Sequence, residues 1–290
     1  MNKLYTLYFI LLLPILAMAQ PKDNSPYSRF GIGDINDRNF YASQFMGGMG
    51  ASFTDPYQIN IVNPAALGHL TAATFDMGLF GELSGIRDGV SDANPTPGAY
   101  NNLWSGNLNH LSLALPLQNR VNDLLERKSR DYSVATAFSL LPYSTVGYNI
   151  ATVQNVENIG EVKRNFEGVG GTYQFLWSNA IKYKNISFGA NIGYLFGKLE
   201  YAKVLEFEAT QPFFNTLISE TNRVRGFLWD FGAIYTLNLD KNDKESGNSG
   251  PGRKLNFGLH GHSRTSFRVN SESFEGSIQN GTGVIDTLQF

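Results

Sequence analysis

The residues with the most chemical potential lie near the end of the chain, where His260 and His262 stand two apart and Ser263 follows. Residues two apart on a strand share a face, so these imidazoles could be offered together to a metal ion. No carboxylate neighbours them in sequence, and that favours structural histidines facing a polar lumen. A Ser263–His262 nucleophile pair fails for a different reason, because adjacent strand residues point to opposite sides. Gly31 and Gly33, and again Gly48 and Gly50, begin the spacing of a dinucleotide-binding turn, but Asn36 and Phe53 stand where its third glycine belongs. The chain has no cysteine, which removes disulfides, cysteine-ligated zinc and a thiol nucleophile. The 23 basic and 25 acidic residues are dispersed, with no basic stripe for nucleic acid. These residues lead to the expectation of a protein that is not an enzyme and carries neither metal nor cofactor.

The elements that would position such residues begin with an export signal. Lys3 precedes an apolar run from Leu4 to Leu16, and Ala17-Met18-Ala19 follows as a small-residue cleavage site. A membrane anchor is the competing reading, but the run is short for a span and carries Pro14. Residues 1–19 therefore read as a signal peptide removed after Ala19. No later segment has eighteen consecutive apolar residues, so no transmembrane helix is expected.

From Thr74 onward the chain alternates with period two. The clearest run is Ile186, Phe188, Ala190, Ile192, Tyr194 and Phe196, interleaved with Ser187, Gly189, Asn191 and Gly193. Phe75, Met77 and Leu79 form another apolar face, as do Leu111 to Leu117, Tyr132 to Leu140, Tyr173 to Ile181, Phe227 to Leu239 and Leu255 to Leu259. Such strands have one greasy face and one polar or minimal face. They suit a soluble sandwich with the greasy face inward, or a transmembrane barrel with it outward. The 30 Gly, 21 Phe and 14 Tyr combined with only 17% charged residues favour the barrel. The expected fold is all-β, an antiparallel transmembrane β-barrel in the outer membrane of a Gram-negative bacterium. Trp104, Trp177 and Trp229 are candidates for its interfacial aromatic girdle.

Connection lengths set the expected orientation. Tyr183 and Ile186 are separated only by Lys184-Asn185, whereas long polar stretches join Leu83 to Leu108 and occupy Gln154 to Gly168 and Glu208 to Asn222. Short turns belong in the periplasm and long loops outside. The scheme requires one upward strand from Asp131 to Val153, interrupted at Leu141-Pro142-Tyr143-Ser144, because proline cannot donate to a sheet ladder. Gln118 to Arg130 reads as a periplasmic connection with a short helical turn, and Asp240 to Arg253 as a solvated loop. Seven strands result, with a polar run after Val269 on the extracellular side. Bacterial single-chain barrels normally have an even number, which suggests a fragment lacking its C-terminal half. The terminal Phe290 as the end of a last strand is the weaker alternative.

Residues 20–70 differ from all that follows. They hold Ser25-Pro26-Tyr27-Ser28-Arg29-Phe30-Gly31, then Met46-Gly47-Gly48-Met49-Gly50-Ala51, then Asn63-Pro64-Ala65, and read as turns and short helices. With Asp55, the strand onset at Thr74 and Leu140-Leu141-Pro142-Tyr143-Ser144, these motifs resemble the FadL/TodX family of outer-membrane transporters for long-chain fatty acids. The opening motif is similar to the starts of Bacteroidetes members. The resemblance implies a fourteen-stranded barrel, of which about seven strands are present in residues 71–290, with residues 20–70 as a hatch inside it. It implies hatch roles for Asn63, Pro64, Ala65, Gly47, Gly48 and Gly50, and a strand kink forming a lateral gate at Pro142, Tyr143 and Ser144. The local alternatives are a plain Asn-Pro turn and a plain bulge.

Two functions follow from that resemblance. One is inward transport of a hydrophobic small molecule such as a fatty acid, leaving sideways into outer-membrane lipid so that its methylenes, worth roughly 0.8 kcal/mol each, avoid water. The other is a barrel that docks proteins as a subunit of a secretion system. A continuous apolar tunnel to Pro142 would favour transport. An occluded lumen with long ordered extracellular structure would favour docking. A soluble periplasmic sandwich fails if the apolar faces form a continuous outer band.

Overall fold

Strand-forming alternation produces one sheet and little else. The computed structural model describes residues 25–87, 100–118, 131–157, 159–207, 214–239, 253–262, 266–279 and 283–289. Its antiparallel strands are β1 (Asp34–Ile35), β2 (Thr74–Arg87), β3 (Tyr100–Pro116), β4 (Tyr132–Val156), β5 (Gly160–Tyr183), β6 (Ile186–Phe207), β7 (Asn215–Asn238), β8 (Lys254–His262), β9 (Arg268–Gln279) and β10 (Gly283–Gln289). They form a single sheet in the order β10-β9-β7-β6-β5-β4-β3-β2, with β8 also paired to β7 and β1 to β4. From β2 to β7 each strand therefore pairs with the next, as in an up-and-down barrel. No described helix is long and apolar enough to cross a membrane.

The sheet is curled into a half-barrel, and the reason is visible in one short element. The 3-10 helix Pro64–His69 contacts β3, β4, β5, β6 and β7. Six residues of 3-10 helix measure about 12 Å, while five strands laid flat are roughly 19 Å across. A sheet wrapped around the helix brings all five close to it.

The two faces differ as the alternation requires. The convex face exposes Phe75, Met77, Trp104, Phe138, Phe175, Trp177, Phe188, Ile192, Phe227, Trp229, Phe231 and Phe257. The concave face buries Ser112, Ser139, Gln174, Ser178, Ser187, Asn191 and Asp230. A soluble sandwich would invert this arrangement. On β5, β6 and β7 the exposed apolar residues occupy Tyr183 back to Phe175, Ile186 to Phe196, and Phe227 to Leu237. Each run is close to the 9–11 residues that cross a bilayer.

Above that belt the strands do not stop, and here the expected loops are corrected. Gln154 to Gly168 is not a long loop: β4 and β5 stay paired up to Val156↔Gly160. Glu208 to Asn222 is likewise strand over its second half, because β7 begins at Asn215 and pairs with β6 from Thr216 onward. Leu83 to Leu108 pairs as far as Arg87↔Tyr100. The upper halves carry charges such as Lys163, Lys198, Glu200 and Arg223 in place of lipid-facing aromatics. Hydrogen-bonded sheet thus rises well beyond the membrane, since β5 has 24 residues against the ten or so needed to span.

The seven-strand count is also revised. Its seventh strand, β8, lies beside the lower half of β7, and β9 lies beside the upper half, from Arg225↔Arg268 to Asn215↔Ile278. The polar run after Val269 is therefore a strand that continues the same position in the sheet and then turns back as β10. Its sequence resembles a loop because neither of its faces meets lipid. The signal peptide, residues 119–130 of the Gln118 to Arg130 connection, Asp240 to Gly252, Ser263 and Phe290 lie outside the described residues.

Candidate functional site

The concave face is filled by the chain's own N-terminal part. Ile59, Ile61, Leu67, Leu70 and Phe40 pack with Ala114, Ala135, Ala137, Leu176, Ala180, Leu195 and Leu228 of the wall in one apolar cluster. Small wall residues leave room for the large ones of the plug.

Asn63 is the anchor of this segment and is wholly buried. Asn-Pro opens a 3-10 helix here because Pro64 needs no amide partner at its first position and the Asn63 side chain accepts from Ala65 N at 3.1 Å. The same amide donates from Nδ2 to Ala51 O at 2.6 Å, and its Nδ2 lies 3.3 Å from Leu259 O and 3.4 Å from Ala233 O. Asn63, Pro64 and Ala65 thus stand together against β7 and β8. From β6, Asn191 Nδ2 donates to Ile61 O at 2.8 Å, and Asn256 Nδ2 of β8 donates to Thr54 Oγ1 at 2.8 Å.

The wall is cut to receive this segment. Gly189 and Gly232 are register partners on β6 and β7, and Gly258 lies opposite Ile234 on β8. A Cβ on Gly189 would strike the Pro64 and Ala65 backbone, one on Gly232 the Asn63 amide, and one on Gly258 the Ala51 carbonyl. Gly47 and Gly48, with φ of 74° and 76°, turn the chain after the short helix Tyr41–Gln44. Gly50 lets Val62 approach, and Asn60 Nδ2 ties Gly50 O at 2.7 Å, so the Gly47 to Gly50 turn and the Asn63 segment are one body.

Two charged or aromatic contacts complete the attachment. Arg38 donates to Asp230 Oδ2 at 2.8 Å, and Asn191 Nδ2 shares that oxygen at 3.3 Å. Phe40 stacks on the buried His110 ring with centroids 3.8 Å apart and planes 5° from parallel. A cavity of about 310 Å³ beside the Arg38–Asp230 pair is lined also by Tyr143, His260 and His262. The two histidines do share a luminal face, but no cluster of three metal-ligating side chains exists among the described residues.

Pro142, Tyr143 and Ser144 sit where the sheet divides. The β4–β5 register shifts between Pro142 and Ser144, leaving Tyr143 as a bulge. β3 pairs with β4 only up to Leu111↔Leu140, although both strands continue upward. Above that point β1 takes β3's place, with Asp34 opposite Thr145 and Ile35 opposite Ser144. The β4–β5 register irregularity thus falls at Pro142 to Ser144, and just above Leu140 plug backbone pairs with β4.

Sequence patterns point to Asn63 through Asn-Pro, but give no sign of Arg38, Asp230, Asn191 or His110 as its companions. Arg38 and Asp230 are 192 residues apart, a separation that leaves no local signature. The wall glycines are readable as minimal residues on a strand, without any indication of what lies against them.

Comparison with known proteins corrects the assignment. A family model described as BamG matches residues 1–250. No curated protein and no solved structure matches the chain. BamG is a family of its own, so the FadL/TodX resemblance falls, and with it the fourteen-strand count, the fatty-acid cargo and inward transport as the function. The Gly-rich and proline motifs that carry that resemblance are short, which is why they mislead. The half-barrel with its aromatic belt and the family together place the chain at the outer membrane.

Proposed function

This chain belongs to the BamG family, and from that premise we propose that it is a protein-docking subunit of the outer-membrane β-barrel assembly machinery. It performs no chemistry of its own in this reading, and it reaches the membrane after removal of residues 1–19. The docking role first drawn for a secretion system is kept, while the machine it serves is changed.

One observation carries the proposal. The concave side is packed with Ile59, Ile61, Leu67 and Leu70, and the Asn63 segment is held by the backbones and side chains of β6, β7 and β8. A passage for apolar cargo needs a lined path, and here the path is occupied by a seated plug. Beyond the belt, paired strands form an ordered wall, which suits a surface that holds another protein. The partner expected is protein, either a machinery subunit or a client barrel in transit.

The test is isolation of the tagged full-length chain from detergent-solubilised outer membranes. Co-purification of assembly-machinery subunits in fixed ratio, with lowered amounts of other barrel proteins on depletion of the chain, is expected. Recovery of the chain alone, with unchanged barrel levels on depletion, would sink the proposal.

A further inference from the structure

The outer surface just above the aromatic belt carries an unbalanced charge. On β7 the outward residues run upward from Leu237 through Trp229 and Phe227 and then reach Arg225. On β6 the matching run ends in Tyr194 and Phe196, and Phe196 is the register partner of Arg225. On its other side Arg225 stands opposite Arg268, where β9 begins. Both arginines are exposed. Side chains directly opposite on antiparallel strands have Cβ atoms on the order of 5 Å apart, and like charges there repel. The wall pairs its neighbouring outward cations, Lys163 with Glu206 at 3.4 Å, Lys198 with Glu200, and Arg223 with Glu272. Arg225 and Arg268 make no ion pair with a carboxylate among the described residues.

The two arginines share a cleft of about 690 Å³ with Tyr194, Phe227, Ser266 and Phe267. Tyr194, Phe227 and both arginines belong to the outward set, so the cleft opens on the membrane side of the wall. It lies where the wall passes from β8, which ends at His262, to β9. Gly226 leaves room for Phe267, since a Cβ there would lie 2.9 Å from Phe267 Cδ1. Phe267 in turn meets Tyr143 edge-on with centroids 5.6 Å apart, so aromatic rings close the cleft toward the lumen. Below the charges, the Tyr194 and Phe227 rings stand 5.1 Å apart and give the cleft an apolar lower part.

We propose that this cleft binds the phosphomonoester headgroup of a membrane lipid, with Arg225 and Arg268 holding the phosphate and Tyr194 and Phe227 taking the start of an acyl chain. Three features select that ligand. The arginines sit one outward position above Phe227, the depth at which headgroups meet an aromatic girdle. Guanidinium groups fit phosphate oxygens, and two of them call for roughly two negative charges, which a phosphomonoester carries near pH 7 and a phosphodiester does not. The apolar surface continues downward from the charges, so a free anion would leave Tyr194 and Phe227 unused.

The site stands apart from the docking reading, and its test uses the purified protein. The full-length chain in dodecyl maltoside micelles is titrated with monophosphoryl lipid A, and bound lipid is counted by native mass spectrometry. Binding should be roughly tenfold tighter than that of phosphatidylglycerol or of dephosphorylated lipid A, the worth of one charge-assisted contact. Arg225→Glu should lose the same factor, while its new carboxylate faces Arg268 and leaves the wall at least as resistant to urea as before. Arg223→Gln, at a side chain already engaged with Glu272, should bind like the parent. Equal binding of dephosphorylated lipid A would overturn the proposal, and this arm uses the unaltered protein, so it decides even if a variant fails to fold. Unchanged binding by folded Arg225→Glu would overturn it as well. Displacement of the lipid by inorganic phosphate at equal concentration would show a free-anion site and refute the lipid as ligand.

Discussion

Asn63 is held through both ends of one amide, with Oδ1 taking the Ala65 N–H and Nδ2 directed at Ala51 O and toward two wall carbonyls. Asn63→Ala removes all of these inside a fully buried site. We expect a loss of about 1–3 kcal/mol in the plug's attachment, the usual cost of orphaned buried polar groups, read as faster trypsin cleavage after Arg38 in the folded protein. Asn63→Asp should be worse than alanine, because a carboxylate cannot donate to those carbonyls and adds a buried charge. Gly232→Val probes the opposite surface of the contact. Its new side chain meets Asn63 and Pro64, so the plug must shift, at about 1–3 kcal/mol for overpacking. Val at the exposed Gly106, where the nearest atom to a Cβ is 3.4 Å away, should leave protease sensitivity unchanged. At this scale the sequence was half legible: Asn-Pro announced a helix start, but the wall glycines that receive it lie far along the chain on other strands.

At the scale of the element, each long strand is two strands in one. The Ile186 to Phe196 half of β6 was readable because its outward side chains must be greasy and its inward ones small. The Lys198 to Phe207 half was not, because water on the outer side imposes no apolar alternation on Lys198 and Glu200. Substitutions should report the boundary. Ile192→Arg places a charge midway up the belt and should cost about 2–4 kcal/mol of insertion free energy, measured by urea-dependent refolding into vesicles. Lys203→Glu, above the belt, should refold like the parent chain. The register shift at Pro142 was legible in outline, since proline has no N–H to give a neighbour. The strand that takes β3's place above it was not, because β1 is too short to show a period.

For the whole molecule, the long strand extensions above the belt lead us to expect that the β4–β5 end faces out. Because the chain lacks cysteine, single replacements label without background. Glu157→Cys, in the tight turn between β4 and β5, should react with a membrane-impermeant maleimide on intact cells, whereas Asn185→Cys, between β5 and β6, should react only after the outer membrane is permeabilised. The reverse result would invert the orientation. Fold class was readable from the whole chain, as it rests on a pattern repeated in every strand. Family was not, since the motifs that carry the resemblance are too short to separate one barrel family from another. One feature of the plug also governs how the molecule reaches its final form. Asn63 approaches Ala233 and Leu259, and Arg38 waits for Asp230, so the first-made part of the chain depends on partners 170 to 196 residues later. Contacts of such span close late. Until β7 and β8 have joined the wall, the N-terminal segment has only part of its seat, and the Asn63 amide and Arg38 lack these wall partners. Full protease resistance of residues 25–70 should therefore appear only after the last wall strands are in place.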